Sequence, residues 1–387
     1  MRLKFASMSS KQYFNTTVPD SLSMALEKRK SKESLRKLVD LHQLIDFSSN
    51  DYLGLSRNKD LIKRIEHRME MEGHLPLGAT GSRLISGNNK YFEQLEERLA
   101  GIFKSEASIL YNSGYAANQG VLSAVAQKGD TILYDALAHV CIKEGAWLSK
   151  AQSYSFRHND LEDLREKLNR AEGTIYVATE TIFSMDGDIA PLEELISLCE
   201  EFGAYLIVDE AHSTGSYGPE GAGILVDRGL EQRVFARVYT FGKAMGLHGA
   251  VVAGARMLKD YLVNFSRSFI YTTSLPPYSL ISIDEAFHFL TDHIELQKDL
   301  QDRIKLFTSS LSESAWLQDQ TAIQPVMVPG NQKCRNLAGH LQKEGFDVRP
   351  ILAPTVREGT ERLRVSLHVH NSNDQIERLA RLLNQLI

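Results

Sequence analysis

Between residues 46 and about 275, short apolar runs rich in β-formers alternate with stretches of helical period. The runs lie at 107–111, 131–134, 174–178, 205–208, 234–240 and 250–253. One intervening helix is expected over 192–202, with Pro191 marking its start because proline suits a first helical turn. This alternation predicts an α/β fold, a mostly parallel sheet between helices. Residues 1–45 are polar and charged, with helical stretches expected over 21–44. Beyond 275 the spacing predicts one long amphipathic helix over 279–311. A strand at 323–328, a helix at 332–343, strands at 347–352 and 363–369, and a last helix follow. Residues 371–375 supply N-cap candidates for that last helix. The expected division is an N-terminal segment (1–45), a large domain (46–275) and a smaller C-terminal α+β domain (276–387). No internal repeat or low-complexity segment is seen.

Composition narrows the class. With 387 residues, 43% hydrophobic and 24% charged, the chain can build a large core as a globular protein of about two to three domains. A net charge of −5 argues against non-specific binding to nucleic acid or to an anionic membrane. No run reaches the roughly 20 apolar residues of a membrane span. Met1 to Phe14 has Lys and Arg but no apolar stretch of signal-peptide length. Cys141, Cys199 and Cys334 are too scattered for a disulfide framework or a zinc pattern, which fits a reducing, cytoplasmic setting. No metal site is expected.

The chemistry concentrates at strand ends. The run 205–208 ends in Asp209, with His212 three residues on, and the run 234–240 leads to Lys243. An Asp there can pair with a protonated pyridine nitrogen, and a Lys can condense with an aldehyde. Pyridoxal 5′-phosphate (PLP) needs both from a protein. The tetrapeptide Asp209-Glu210-Ala211-His212 also occurs in a helicase motif. That reading requires a G-x-x-x-x-G-K-[ST] loop, and Gly242-Lys243 is followed by Ala244. Gly114 and Tyr115 follow a strand and open a helix, a turn suited to phosphate or simply to reversing the chain. His139 could stack on a planar cofactor or merely cap a helix. Cys141 reads as a small buried apolar residue. Ser184, in Phe183-Ser184-Met185-Asp186-Gly187-Asp188, could contact a cofactor or belong to an ordinary Asp-Gly turn. Thr272 and Thr273 precede Pro276-Pro277, whose plain reading is a link between domains.

From Asp46 to the C-terminus the chain resembles the α-oxoamine synthases, PLP-dependent acyltransferases of fold type I. The resemblance is carried by Ser49-Asn50-Asp51-Tyr52-Leu53-Gly54-Leu55, Gly78-Ala79-Thr80-Gly81-Ser82-Arg83-Leu84, Ser113-Gly114-Tyr115, Phe183-Ser184-Met185-Asp186-Gly187, Asp209-Glu210-Ala211-His212 and Thr240-Phe241-Gly242-Lys243. It implies that Lys243 holds PLP covalently, Asp209 faces the pyridine nitrogen, His212 bonds the phenolic oxygen and His139 stacks on the ring. It also implies that Gly114, Tyr115, Thr240 and Ser184 hold the cofactor. Thr272 and Thr273 are expected to reach the phosphate of a partner subunit, in a homodimer with shared active sites. Asn50 and Arg364 are implied for the amino-acid carboxylate, and Arg36 and Thr355 for the acyl substrate. Gly242 stands where members of the family often carry Ser. The implied reaction joins an amino acid to the acyl group of an acyl-CoA or acyl carrier protein thioester, with loss of CO2. Gly81 to Gly87 and Leu247 to Val252 point to L-alanine and a pimeloyl thioester. Glycine with acetyl-CoA, serine with palmitoyl-CoA, and a catalytically inactive binding subunit are the rival readings. Keeping Lys243, Asp209, His212 and His139 argues against the last.

Overall fold

The computed structural model describes residues 18–311 and 321–386. After a two-residue strand β1 (Ile45–Asp46) come the seven strands of the main sheet: β2 (Ala107–Tyr111), β3 (Thr131–Asp135), β4 (Gln152–Phe156), β5 (Ile175–Glu180), β6 (Tyr205–Asp209), β7 (Ala236–Thr240) and β8 (Ala250–Gly254). Their order is β2-β8-β7-β6-β5-β3-β4, and β8 alone runs opposite to the other six. All six predicted runs are strands. The seventh, β4, lies at the sheet edge with Gln152, Tyr154 and Ser155 exposed, so it carries no apolar run to betray it.

Alternate residues feed two cores. Leu206 and Val208 pack on one face of the sheet, and Ile207, Ala236 and Val238 on the other. Burial on both faces explains the near-continuous apolar central strands. Because the strands are parallel, β2, β3, β5, β6 and β7 end at one edge, where ligands bind in such sheets.

Beyond residue 254 the predicted single helix over 279–311 is two, Pro277–Asp292 and Glu295–Ser310. At His293 the backbone leaves the helix (φ −128°, ψ 56°), and its imidazole stacks on Phe289 at 3.9 Å. The first helix buries Leu280, Ile283 and Phe287. The second buries Leu300, Ile304 and Phe307 and packs on the last helix, Asn373–Leu386. That helix begins with a reciprocal cap: the Gln375 amide donates to Ser372 Oγ and the Ser372 amide to Gln375 Oε1. Pro191, in turn, is the residue before the helix Leu192–Glu201 rather than inside its first turn.

A second sheet, order β11-β12-β9, is antiparallel and joins β9 (Ile323–Met327), β11 (Arg349–Ile351) and β12 (Arg362–Ser366). Beside it, β10 (Phe346–Asp347) pairs in parallel with β1. The chain after β1 then runs along the end of β12. The Ser366 amide donates to Phe47 O at 2.8 Å and the Val369 amide to Tyr52 O at 2.9 Å. Residues 47–52 are thereby delivered against Arg364. Toward the N-terminus, the helix Asp20–Ser31 buries none of its residues. The stretch after it is held by Asn331 Nδ2 donating to Lys32 O and Arg335 Nε to Glu33 O. Among the described residues no helix is long and apolar enough to cross a membrane. The expectation for Met1 to Phe14 lies outside the described residues.

Candidate active site

Five strand ends build the site. At the end of β6 the buried Asp209 carboxylate accepts from the Ala211 amide at 2.8 Å and from Asn118 Nδ2 at 2.7 Å. Asn118 also donates to Gly114 O, so one amide fixes both the carboxylate and the first turn of the helix Gly114–Val125. Ser113 caps that helix by accepting from the Ala116 amide. The Gly114 and Tyr115 amides, as first donors of a helix, have no intrahelical acceptor. A Cβ on Gly114 would lie 3.4 Å from Thr240 Cβ and Oγ1, so the glycine keeps the space between the two strand ends open.

Lys243 follows β7 in a tight loop. The Leu247 amide donates to Phe241 O, and the Gly246 amide to Lys243 O. Gly246 has φ 65°, and a Cβ there would strike Ser56 N, so no other residue closes this loop without a shift. The Lys243 side chain is half-buried and makes no hydrogen bond or ion pair among the described residues. Burial holds its pKa below the ordinary lysine value, against the opposing pull of Asp209 and Glu180, while Arg364 adds to the lowering.

His212 is buried, and its Nδ1 lies 2.7 Å from the Tyr52 hydroxyl. Burial, with the Lys243 and Arg364 charges, depresses its pKa well below that of a free imidazole. His139 precedes the helix Val140–Leu148 and caps it through Nδ1. Its pKa is likewise lowered by burial. Both imidazoles are therefore neutral at pH 7. The His139 amide donates to Glu180 Oε1 at 2.6 Å.

Arg364, on β12, is the hub of the far wall. Its Nη2 donates to Asn50 Oδ1 at 2.9 Å, its Nε to Ser184 O at 2.6 Å and its Nη1 to Ser366 Oγ at 2.8 Å. Next to it Arg362 pairs with Asp186. The structure thus gathers Lys243, Asp209, His212, His139, Gly114, Thr240, Ser184, Asn50 and Arg364 around one strand edge. Arg36 and Thr355 meet each other, Nη2 to Oγ1 at 2.9 Å. Thr355 lines a cleft of about 1540 Å³ that also exposes His139 and Ser184. Tyr115 is largely exposed and donates its hydroxyl to Glu144, a bond that pushes its pKa up to about 12. Thr272 and Thr273 lie beside Asn112 of the same chain, whose Nδ2 donates to Thr272 Oγ1 and Thr273 O.

Three residues of the site carried no role in the sequence reading. Glu180 ends β5 directly opposite Asp209 in the ladder and is fully buried. Burial first, and then the Asp209 charge, raises its pKa to about 8. Its signal was an acid closing an apolar run, the same pattern as Asp209. Tyr52 and Asn118 sit inside motifs already singled out. Their contacts arise only when residues 160 and 91 positions away arrive.

The donor set fits PLP. Asp209 offers a fixed anion, Lys243 an uncommitted amine, and the helix Gly114–Val125 a free N-terminus beside the Thr240 hydroxyl. Comparison with known proteins agrees. The model of the family "Aminotransferase class I and II" matches residues 42–383. The chain is 37% identical over 385 residues to 8-amino-7-oxononanoate synthase from Emericella nidulans, covering 93% of each. Its fold is similar to that of serine palmitoyltransferase from S. paucimobilis with bound PLP and myriocin, with TM-score 0.86, 26% identity and coverage of 95% and 96%. It is also similar to 8-amino-7-oxononanoate synthase from Francisella tularensis, with TM-score 0.73, 28% identity and coverage of 88% and 97%. The chain belongs to the aminotransferase class I and II family and, within it, to the α-oxoamine synthases, PLP-dependent acyltransferases of fold type I.

Proposed function

We propose that this protein condenses L-alanine with a pimeloyl thioester, releasing CO2 and the free thiol and forming 8-amino-7-oxononanoate. The observation that carries this reading is the 37% identity, over 93% of both chains, to a synthase of that name. The serine palmitoyltransferase has the higher TM-score but only 26% identity, so its likeness supports the shared backbone more than the substrate.

When bound, PLP supplies a sink for the electrons left at the amino-acid Cα. The residues have separable tasks. Asp209, held by Asn118 and the Ala211 amide, keeps a proton on the pyridine nitrogen by placing a negative charge beside it. Lys243 Nζ would hold the cofactor through its aldehyde, and the same amine is the group placed to hold the proton from the amino-acid Cα. Burial lowers its pKa, which favours the unprotonated amine that a base needs. His212 engages Tyr52 through Nδ1, which leaves Nε2 for the phenolic oxygen. His139, uncharged, would pack against the cofactor's ring. Arg364, oriented by Ser184 O and Ser366, takes the substrate carboxylate together with Asn50. Arg36 and Thr355 line the acyl route, and Thr272 and Thr273 complete the phosphate site of a partner subunit in a homodimer.

An initial-rate panel tests the reading, crossing alanine, glycine and serine with acetyl-CoA, pimeloyl-CoA and palmitoyl-CoA. Alanine with pimeloyl-CoA should give the highest kcat/KM. A single methyl group discriminates by about 1–3 kcal/mol, so glycine should run roughly 10- to 200-fold slower. A clear win for glycine with acetyl-CoA, or for serine with palmitoyl-CoA, would replace the substrate assignment.

A further inference from the structure

Tyr52 lies between two parts of the site, the carboxylate clamp and the histidine beside the cofactor. Its side chain is buried, and its backbone oxygen accepts from the Val369 amide at 2.9 Å. Its ring lies 6.4 Å from that of His368, tilted by 24°. The phenol is thus fixed in place. Burial raises its pKa above the ordinary tyrosine value, against the pull of Arg364, so it stays protonated. A phenol has one proton to give and lone pairs to receive. Two acceptors lie within reach, His212 Nδ1 at 2.7 Å and Asn50 Oδ1 at 3.1 Å. Asn50 Oδ1 is already supplied by Arg364 Nη2 at 2.9 Å. The same Nη2 faces the Tyr52 hydroxyl oxygen at 3.4 Å, and a guanidinium can only donate. The phenol proton therefore points away from Arg364 and toward His212 Nδ1, the nearer of the two acceptors.

We propose that Tyr52 is a positioning residue that holds His212 in the Nε2–H tautomer and ties that tautomer to the carboxylate clamp of Asn50 and Arg364. Burial, with Lys243, Arg364 and His139 adding to it, keeps His212 uncharged. A neutral imidazole carries its one proton on either nitrogen, and the hydrogen bond at one nitrogen fixes the other. With Nδ1 accepting from Tyr52, the proton sits on Nε2, the nitrogen left for the cofactor's phenolic oxygen. An oxygen that carries negative charge needs a donor there, and a bare Nε2 would repel it. Arg364 supplies the second half of the device. While Nη2 faces the phenol oxygen, it draws density from that oxygen and strengthens the donation to His212. A substrate carboxylate drawn to Arg364 competes for Nη2, so filling the clamp is felt at His212 through one hydroxyl. The proposal rests on the roles given above to His212 and to the clamp, and it holds whichever amino acid and acyl chain the enzyme uses.

The test uses Tyr52→Phe, which keeps the ring and removes the hydroxyl, with a thermal melt to verify the fold. Nitrogen–proton NMR spectra of apoprotein carrying isotope-labelled histidine read the tautomer, and His212→Gln identifies the signal. The native protein should show His212 as the Nε2–H form at pH 7. The variant should lose that fixed state and exchange between both tautomers. In PLP-loaded protein, the phenolic oxygen then lacks a steady donor, so the cofactor holds its own proton more tightly. The pH midpoint of its visible absorbance should rise by about 0.5 to 1 unit in the variant, the size of one hydrogen bond. A merely structural ring would change the melt and leave tautomer and midpoint where they are. Propionate carries the carboxylate without the amine, so it fills the clamp without reaction. Its charge should raise the midpoint through space in both proteins, and by more in the native one, the excess being the share carried by the hydroxyl. An Nδ1–H tautomer in the native protein, or the same tautomer or the same midpoint in both proteins, overturns the positioning role. Equal propionate shifts overturn the tie to the clamp. A native midpoint that propionate does not move counts against the carboxylate role of Asn50 and Arg364 instead, and the tautomer comparison still decides Tyr52.

Discussion

Adjacent acids on one turn have opposite duties. Asp209 points its charge into the site, whereas the buried Glu210 accepts the Ile224 and Leu225 amides and the Ser213 hydroxyl, capping a short helix. Asp209→Asn should therefore lower kcat by about 10²-fold or more with little change in Tm. Glu210→Gln should keep kcat within a few-fold but cost roughly 1–3 kcal/mol of stability. Steady-state kinetics and thermal melts on the same preparations separate the two. A third acid, Glu180, is the inverse of the usual surface carboxylate. Its pKa, raised by burial and by Asp209 to about 8, means that the folded apoprotein holds a proton that the unfolded chain releases near 4.5. Folding then binds a proton across that interval, so Glu180 subtracts stability progressively as pH rises from 4.5 to 8. Glu180→Gln, a neutral isostere, should stabilise the apoprotein by on the order of a few kcal/mol at pH 8 and by much less at pH 5. Denaturant titrations at the two pH values check this, and an equal gain at both would remove the assignment.

Between elements, His158 is a clasp. Its Nδ1 lies 3.0 Å from Asp135 at the end of β3, and its Nε2 lies 2.7 Å from Asp188 in the loop after β5. Burial opposes its charge, but the two carboxylates outweigh burial and raise its pKa to about 10. A raised histidine gives its full stabilisation below the unfolded value of 6.5 and loses it as pH climbs toward 10. Native stability should decline across that window, and His158→Gln should cost roughly 1–3 kcal/mol at pH 6 and almost nothing at pH 10. Urea unfolding of both proteins at the two pH values measures it. The clasp also marks what the sequence could and could not reveal. The six apolar runs declared themselves because their strands are buried on both faces, the edge strand β2 and the antiparallel β8 included. Strand β4 hid because most of its side chains are exposed, so it carries no apolar run. The break at His293 hid because no proline or glycine announces it. Lys243, Asp209 and His212 were legible as residue types at strand ends. Glu180, Tyr52 and the His158 clasp depend on contacts across the fold, which spacing along the chain does not encode.

For the whole molecule, assembly is the open consequence of the proposed homodimer. Thr272 and Thr273 sit on a half-exposed link next to Asn112, two residues from the Gly114 turn. If they complete the neighbour's phosphate site, inactive Lys243→Ala protein mixed with an inactive Thr272→Ala/Thr273→Ala variant should regain activity. About a quarter of native turnover is the ceiling, since statistical exchange makes half the dimers mixed and each has one intact site. No recovery after exchange verified by mass spectrometry would place these threonines outside a shared site.

The meeting of Asn50 with Arg364 spans 314 residues. A ribosome therefore releases the lysine, the facing acids and the phosphate-side helix long before it releases the arginine that the carboxylate needs. Contacts so far apart along the chain are the slow ones to form. The growing polypeptide can shape a cofactor cradle while lacking any grip on an amino acid. Competence for substrate arrives last, when β12 emerges and zips against the waiting segment 47–52.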